Sequence, residues 1–205
     1  MAGSPRVDGR SLRYQHRRPE LLAAALEYVL EHGPGDLSLR SMAGELGVSH
    51  ATLLRHFVTK EALLTAVFEH LREQTIAELE NDDELRAAAP VEKLRLMWQR
   101  LCRPRRRRQF VVLAETYGLA RREPERYRAG LEATVYDWLA LVEQGLADEA
   151  MSGDDARVAA TMILAQIRGL QLDLAATGDH ERVDRAFELF VSGLGRANPS
   201  SGTRR

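Results

Sequence analysis

Apolar side chains recur every three or four positions along nearly the whole chain, and no stretch shows the strict alternation of a half-buried strand. Leu22, Ala25, Leu26 and Val29 fall at i, i+3, i+4 and i+7. They predict a helix from Pro19, whose missing N–H costs nothing at the first helical position, to Gly33-Pro34-Gly35. Ser38 then stands as N-cap to a short helix carrying Leu39, Met42, Ala43 and Leu46, which Gly47 stops. Ser49 caps the next helix, nearly closed by Phe57. Thr59 caps a fourth that runs through Leu63, Leu64, Val67, Phe68 and Leu71 to about Leu79.

Further on, N-D-D-E-L-R (81–86) is expected as an acidic connector, and Pro90 opens a helix with Leu94, Met97, Trp98 and Leu101 on one face. R-P-R-R-R-R (103–108) lies between two apolar helices and is expected as a solvated loop. A second nucleic-acid patch, or neutralisation by the acids at 80–84, stays open. Helices follow around Phe110–Arg121, Pro124–Met151, Asp155–Ala176 and Glu181–Arg196. The long one carries Leu131, Val135, Trp138, Leu139, Val142 and Leu146. The next is apolar on more than one face, through Val158, Met162, Ala165, Ile167, Leu170, Leu172 and Leu174, as a helix covered on both sides would be. Val183, Phe187, Phe190, Val191 and Leu194 form the last stripe. The fold class is all-α with about nine helices. Residues 1–17 and 197–205 lack apolar periodicity and are expected as a flexible basic arm and a disordered tail.

Composition narrows the classes without choosing among them. With 205 residues, 44% hydrophobic and 29% charged, the chain can bury a core without disulfides or metals. The single cysteine, Cys102, cannot form an internal disulfide, the first residues lack a signal peptide's apolar core, and no uncharged apolar run reaches the ~18 residues that span a bilayer. A cytoplasmic protein is expected. The net charge of −1 conceals an asymmetry: Arg6, Arg10, Arg13, Arg17 and Arg18 crowd the first 18 residues against Asp8 alone. A basic arm on a mildly acidic body points to a polyanion at one end.

Two short helices joined at Gly47-Val48-Ser49 have helix-turn-helix spacing, in which glycine permits the positive φ of the turn and Val48 plugs the angle between helices. Spacing alone leaves an ordinary αα-hairpin open beside a DNA-binding motif. His50 and His56, six apart, fall on different faces of their helix and do not read as metal ligands. No G-x-S-x-G, glycine-rich phosphate loop, CxxC or Glu-x-x-His occurs, so neither an enzyme nor a cofactor is expected.

From Arg18 to Leu64 the chain carries L-A-A-A-L, Gly33, L-S-L-R, M-A-G-E-L-G-V-S, T-L-L-R-H-F and K-E-A-L-L in one register, and this run resembles the DNA-binding domain of the TetR (tetracycline repressor) family of bacterial transcriptional regulators. The resemblance implies a DNA-binding domain over 18–65 and a helical effector-binding and dimerisation domain over 66–196, joined by the helix from Thr59 to about Leu79. It implies that the second motif helix enters the major groove with Ser49, His50, Ala51 and Thr52 at the base edges. Ser, Thr and His can donate or accept there, and the Ala51 methyl can meet a thymine methyl. Phosphate contacts are expected from Ser38 and Arg40, from Arg55, His56 and Lys60, and from Arg17 and Arg18, which reach the backbone or the minor groove. Two positions depart from the pattern. Leu54 stands where a phosphate-binding Tyr is common, and Val58 where Pro often precedes the Thr59-Lys60 pair.

For the larger part, the resemblance implies a homodimer through the last two helices and a small-molecule pocket between about 90 and 175. Candidates for its lining are Trp98, Phe110, Tyr117, Tyr136, Trp138, Met162 and Gln166, a set that favours a mostly apolar effector. The expected function is a repressor released from a palindromic operator by that effector. A DNA-binding regulator without a small-molecule effector, or an activator, remains the alternative.

Overall fold

The computed structural model describes residues 9–35, 37–147 and 154–197, with 9–17, 147 and 195–197 as backbone alone. Residues 1–8 of the expected arm and 198–205 of the expected tail lie outside the described residues. Ten helices are described, and no strand: α1 (Gly9–His32), α2 (Leu39–Glu45), α3 (His50–Phe57), α4 (Lys60–Glu80), α5 (Asp83–Ala87), α6 (Pro90–Leu101), α7 (Pro104–Arg122), α8 (Pro124–Ala147), α9 (Asp154–Thr177) and α10 (His180–Ala197).

Local capping chemistry sets the small N-terminal helices. Ser38, Ser49 and Thr59 are extended N-caps, and their side-chain oxygens accept from the N–H groups of Ser41 (3.4 Å), Thr52 (3.1 Å) and Ala62 (3.0 Å). Gly47 adopts φ 66°, which lets the Val48 N–H reach back to the Ala43 carbonyl at 2.9 Å and close α2. Leu21, Leu26, Met42, Leu53, Phe57, Leu63, Leu64, Val67 and Leu71 then meet in one apolar core, with Val48 packed against it. Val112 of α7 and Tyr127 of α8 also belong to that core, so the head is completed by two side chains of the body.

A second core fills the body. Leu94, Met97 and Trp98 of α6 join Leu139 and Val142 of α8, Ile163, Ile167 and Leu174 of α9, and Val183, Phe187 and Val191 of α10. Trp98 stacks on Phe187 with ring centroids 4.8 Å apart and donates its Nε1–H to Asp184 at 2.8 Å. The α4 helix runs from the first core to the second, carrying Leu63 to Leu71 in one and Leu79 in the other.

Three expectations are corrected. α1 begins at Gly9, ahead of Pro19, which sits inside it. Leu12, Arg13 and Gln15 ahead of the proline are good helix formers, and the helix continues through Pro19 at the loss of one hydrogen bond. Asp82 caps a short helix, α5, where a connector is expected; its Oδ1 accepts from Glu84 and Leu85, both at 3.1 Å. α5 brings the count to ten.

The arginine run is the last correction. It is no loop: Pro104 is the first residue of α7, and arginines 105 to 108 form that helix's opening turns. Three of them fan out to different helices. Arg105 pairs with Glu27 of α1 at 2.5 Å, Arg106 with Glu78 of α4, and Arg107 meets the His180 ring of α10 at 2.9 Å. The acids expected as neutralising partners bind elsewhere, since Asp82 and Glu84 both pair with Arg100.

Candidate functional site

The face of α3 is decided by where its apolar residues go. Leu53 and Phe57, one turn apart, are buried, which turns Ala51, Leu54 and Arg55 outward. Leu54 is 36% exposed. His50 and Thr52 lie on the flanks, half-buried. The Ser49 and Thr52 hydroxyls are hydrogen-bonded to each other at 2.9 Å. The first turn of α3 is therefore pre-set, and its polar groups project from a fixed backbone.

The other candidate residues surround this face unevenly. Ser38 and Arg40 are exposed at the start of α2. Arg18 is exposed and holds its guanidinium 5.5 Å from the Phe57 ring centroid, a cation–π contact that ties α1 to the end of α3. The Arg17 side chain lies outside the described residues. Lys60 is half-buried and donates to the Gly35 carbonyl at 3.0 Å; two of its three ammonium protons remain for another acceptor. His56 is half-buried, with Nδ1 out of solvent contact and its ring 6.2 Å from that of Phe57.

In the body, α4, α6, α7, α8 and α9 enclose a cavity of about 80 Å³. Of the seven candidates, Phe110 and Trp138 line it, beside Phe68, Met97, Leu101 and Leu164. Trp98 is turned into the core against Phe187. Tyr117 and Tyr136 line a separate, more open hollow of about 400 Å³ between α7 and α8. Met162 and Gln166 are exposed on the outer side of α9.

Sequence reasoning missed the polar lining of the enclosed cavity: Arg72, Arg106, Gln109, Arg168 and Gln171. A signal was present, because Arg168 and Gln171 continue the inward row of Leu164 and Ile167 at i+4 and i+7. Thr75 accepts from Arg106 while donating to the Leu71 carbonyl at 2.8 Å, and Gln109 accepts from Arg106 at 2.7 Å, so much of this polar wall is mutually satisfied. Nearby Cys102 is half-buried, and burial pushes its thiol up to about 12, leaving it unreactive as a nucleophile. None of the described helices is long and apolar enough to cross a membrane.

Comparison with known proteins gives this geometry a lineage. The sequence profile of the bacterial regulatory proteins of the tetR family matches residues 21–67, which hold the whole of α2 and α3. An HTH-type transcriptional repressor of Mycobacterium tuberculosis is 41% identical over 51 residues, covering 25% of this chain and only 27% of the relative. The HTH-type transcriptional regulator CymR of Pseudomonas putida is 28% identical over 193 residues, 89% of this chain and 91% of CymR. The crystal structure of a transcriptional regulator from Rhodococcus sp. RHA1 shares the fold with a TM-score of 0.74 at 22% identity, over 88% of this chain and 96% of that one. These relatives are named as regulators of transcription and not as enzymes. With a capped helix-turn-helix inside the matched segment, residues 21–67 carry the N-terminal domain of the tetR family of bacterial regulatory proteins, and the helical body behind it has the fold of the Rhodococcus regulator.

Proposed function

We propose that the protein is a sequence-specific, DNA-binding transcriptional repressor that acts in the cytoplasm as a homodimer and leaves a palindromic operator when a small effector fills its body. The observation that carries this reading is the outward face of α3, fixed by two caps and a buried Leu53–Phe57 pair, on a head bolted to a hollow helical body. Ser49, His50, Ala51 and Thr52 read base edges at the opening of α3. Ser38, Arg40, Arg55, His56 and Lys60, with Arg17 and Arg18 from α1, hold phosphates around it.

Dimerisation is supported by α9 and α10. Inside, α9 buries Ala160, Ile163, Ile167 and Leu174, yet its other side exposes Val158, Met162, Ala165, Gly169 and Leu172 in one stripe. Leu189 of α10 is 71% exposed. Large apolar side chains gathered on one face of a soluble protein mark an interface. A twofold axis through that face would present two α3 helices to half-sites about 34 to 36 Å apart on one side of the duplex.

Phe68, Leu71, Arg72 and Thr75, on the helix that carries the head, form one wall of the cavity. At about 80 Å³ it is smaller than the ~300 Å³ at which drug-sized pockets begin, so an effector must push its walls apart. Displacing α4 moves the head with it. Effector and operator then favour different arrangements, and each weakens the other by the same factor. Binding-site selection with the purified protein tests the whole reading: an enriched palindrome is expected, and a pool that stays random after selection rejects it.

A further inference from the structure

Three arginines line the enclosed cavity and no aspartate or glutamate does. Two of the three are matched by acids lying behind the lining. Arg72 Nε is 3.1 Å from Asp137 Oδ2, an ion pair that matches its charge although Nε makes no well-aligned hydrogen bond, and Arg106 pairs with Glu78. Arg168 is different. Its Nη2 is shut off from solvent with no hydrogen-bond partner among the described residues. Burial pushes its pKa down, but a guanidinium does not lose its proton in a protein, so the charge stays. The cavity thus holds one cation without a carboxylate partner among the described residues, beside apolar side chains and polar groups that are largely satisfied by one another, an arrangement that costs stability until an anion arrives.

We propose that the cavity is a binding site for a hydrophobic monocarboxylate, with Arg168 as its counter-ion. This rests on the reading of the cavity as the effector site and names the effector's class. A neutral apolar occupant would leave Arg168 unpaired, and a cation would add to the unmatched charge. A dianion would bring one more charge than the wall leaves free, and a bare inorganic anion would leave Phe110, Trp138 and Leu164 facing water. A carboxylate on a compact apolar body answers both parts of the wall at once, since its two oxygens can accept from one guanidinium. The body is compact and shorter than a long acyl chain, because at about 80 Å³ the space is below the ~150 Å³ that holds benzene in an apolar cavity and even one ring has to push the walls apart.

The test is calorimetric titration and thermal melting of the full-length protein with benzoate, phenylacetate and hexanoate, each beside its neutral amide, and with inorganic phosphate. The acids are expected to bind and raise the melting temperature, with the amides weaker by about tenfold or more, as befits a charge-assisted contact. Arg168→Met should erase the preference for acid over amide. The same substitution should raise the melting temperature of the ligand-free protein, which separates loss of the site from loss of the fold. Arg168→Lys should keep part of the preference.

Equal binding of acid and amide, unchanged acid binding by Arg168→Met, phosphate binding as tight as benzoate, or no acid binding at millimolar concentration overturns the proposal. Operator mobility shifts separate the two layers. Acids bound through Arg168 with operator affinity unchanged would leave this site standing and remove its effector role. Operator release by a neutral compound that Arg168→Met still binds would do the reverse.

Discussion

The backbone N–H of Thr59 donates to the carbonyl of Phe57 at 2.6 Å, closing a three-residue turn around Val58 between α3 and α4. Val58 sits at φ 62° and ψ −51°, a rare and strained γ-turn conformation for a β-branched residue, with its side chain 72% exposed. The turn sets the angle between the helix proposed to read DNA and the helix that leads to the body. Strain of this kind costs of order 1–3 kcal/mol.

Val58→Gly should therefore stabilise the protein by about 1 kcal/mol, the relief of strain outweighing glycine's extra freedom in the unfolded chain. Val58→Pro should destabilise it by about 3 kcal/mol, because proline fixes φ near −65° and removes an N–H. That N–H now donates to the Leu54 carbonyl at 2.8 Å. Chemical denaturation of both variants measures this, and a Val58→Pro protein as stable as the parent would show that the turn is not held in the observed conformation.

The head was readable in the sequence because its signals are local. Ser38, Ser49 and Thr59 each bond an amide three residues on, and Gly47 needs only its own φ, so nothing distant enters. Arg105, Arg106 and Arg107 could not be read that way. Their partners, Glu27, Glu78 and His180, are brought near only by the fold, and a basic run after a proline resembles a solvated loop until they are seen. The lining of the cavity was hard to read for a related reason. Periodicity marks Trp98 and Trp138 alike as inward-facing, but packing decides that one stacks on Phe187 and the other borders open space. Arg168 was the readable exception, an ionisable residue in an apolar row.

The side chains proposed to read bases and those proposed to hold phosphates should respond differently to substitution. His50→Ala combined with Thr52→Ala should relax sequence preference, each lost base contact costing about 1–3 kcal/mol of discrimination. Arg55→Ala should weaken binding to all sequences and lower the slope of log affinity against log salt by about one. Affinities for selected and scrambled duplexes across a salt series measure both. The reverse pattern would exchange the two roles.

Acid should loosen the body before it touches the apolar cores. Asp82 is held below its ordinary pKa of 3.8 first by the Leu85 amide and then by Arg100, and Asp173 is held down first by Arg182, which grips it with two bonds of 2.7 Å. A carboxyl lowered in the folded state contributes stability that is fully present above its unfolded pKa and is lost as pH falls through the folded value. The melting temperature should therefore change little with these groups from neutral pH down toward 5 and fall below about 4. Asp82→Asn should melt lower at neutral pH, with a shallower acid drop. An acid limb as steep as that of the parent would assign the loss to other carboxyls.

The outer stripe of α9 offers the sharpest test of assembly. Met162 is 61% exposed and Leu189 71%, while Ile163 beside the first and Phe187 near the second are buried. Charged side chains can therefore be placed on the outer face without entering the core. Met162→Glu with Leu189→Glu would set like charges in a dry interface if the stripes of two chains meet, and leave a well-hydrated monomer if they do not. Light scattering at micromolar concentration should give twice the chain mass for the parent and the single mass for the variant, with helix content by circular dichroism unchanged. Operator affinity should fall in the variant far more than its fold would explain, because each head would then bind its half-site alone. A parent that scatters as a monomer, or a double variant that remains dimeric, would place the interface elsewhere or remove it.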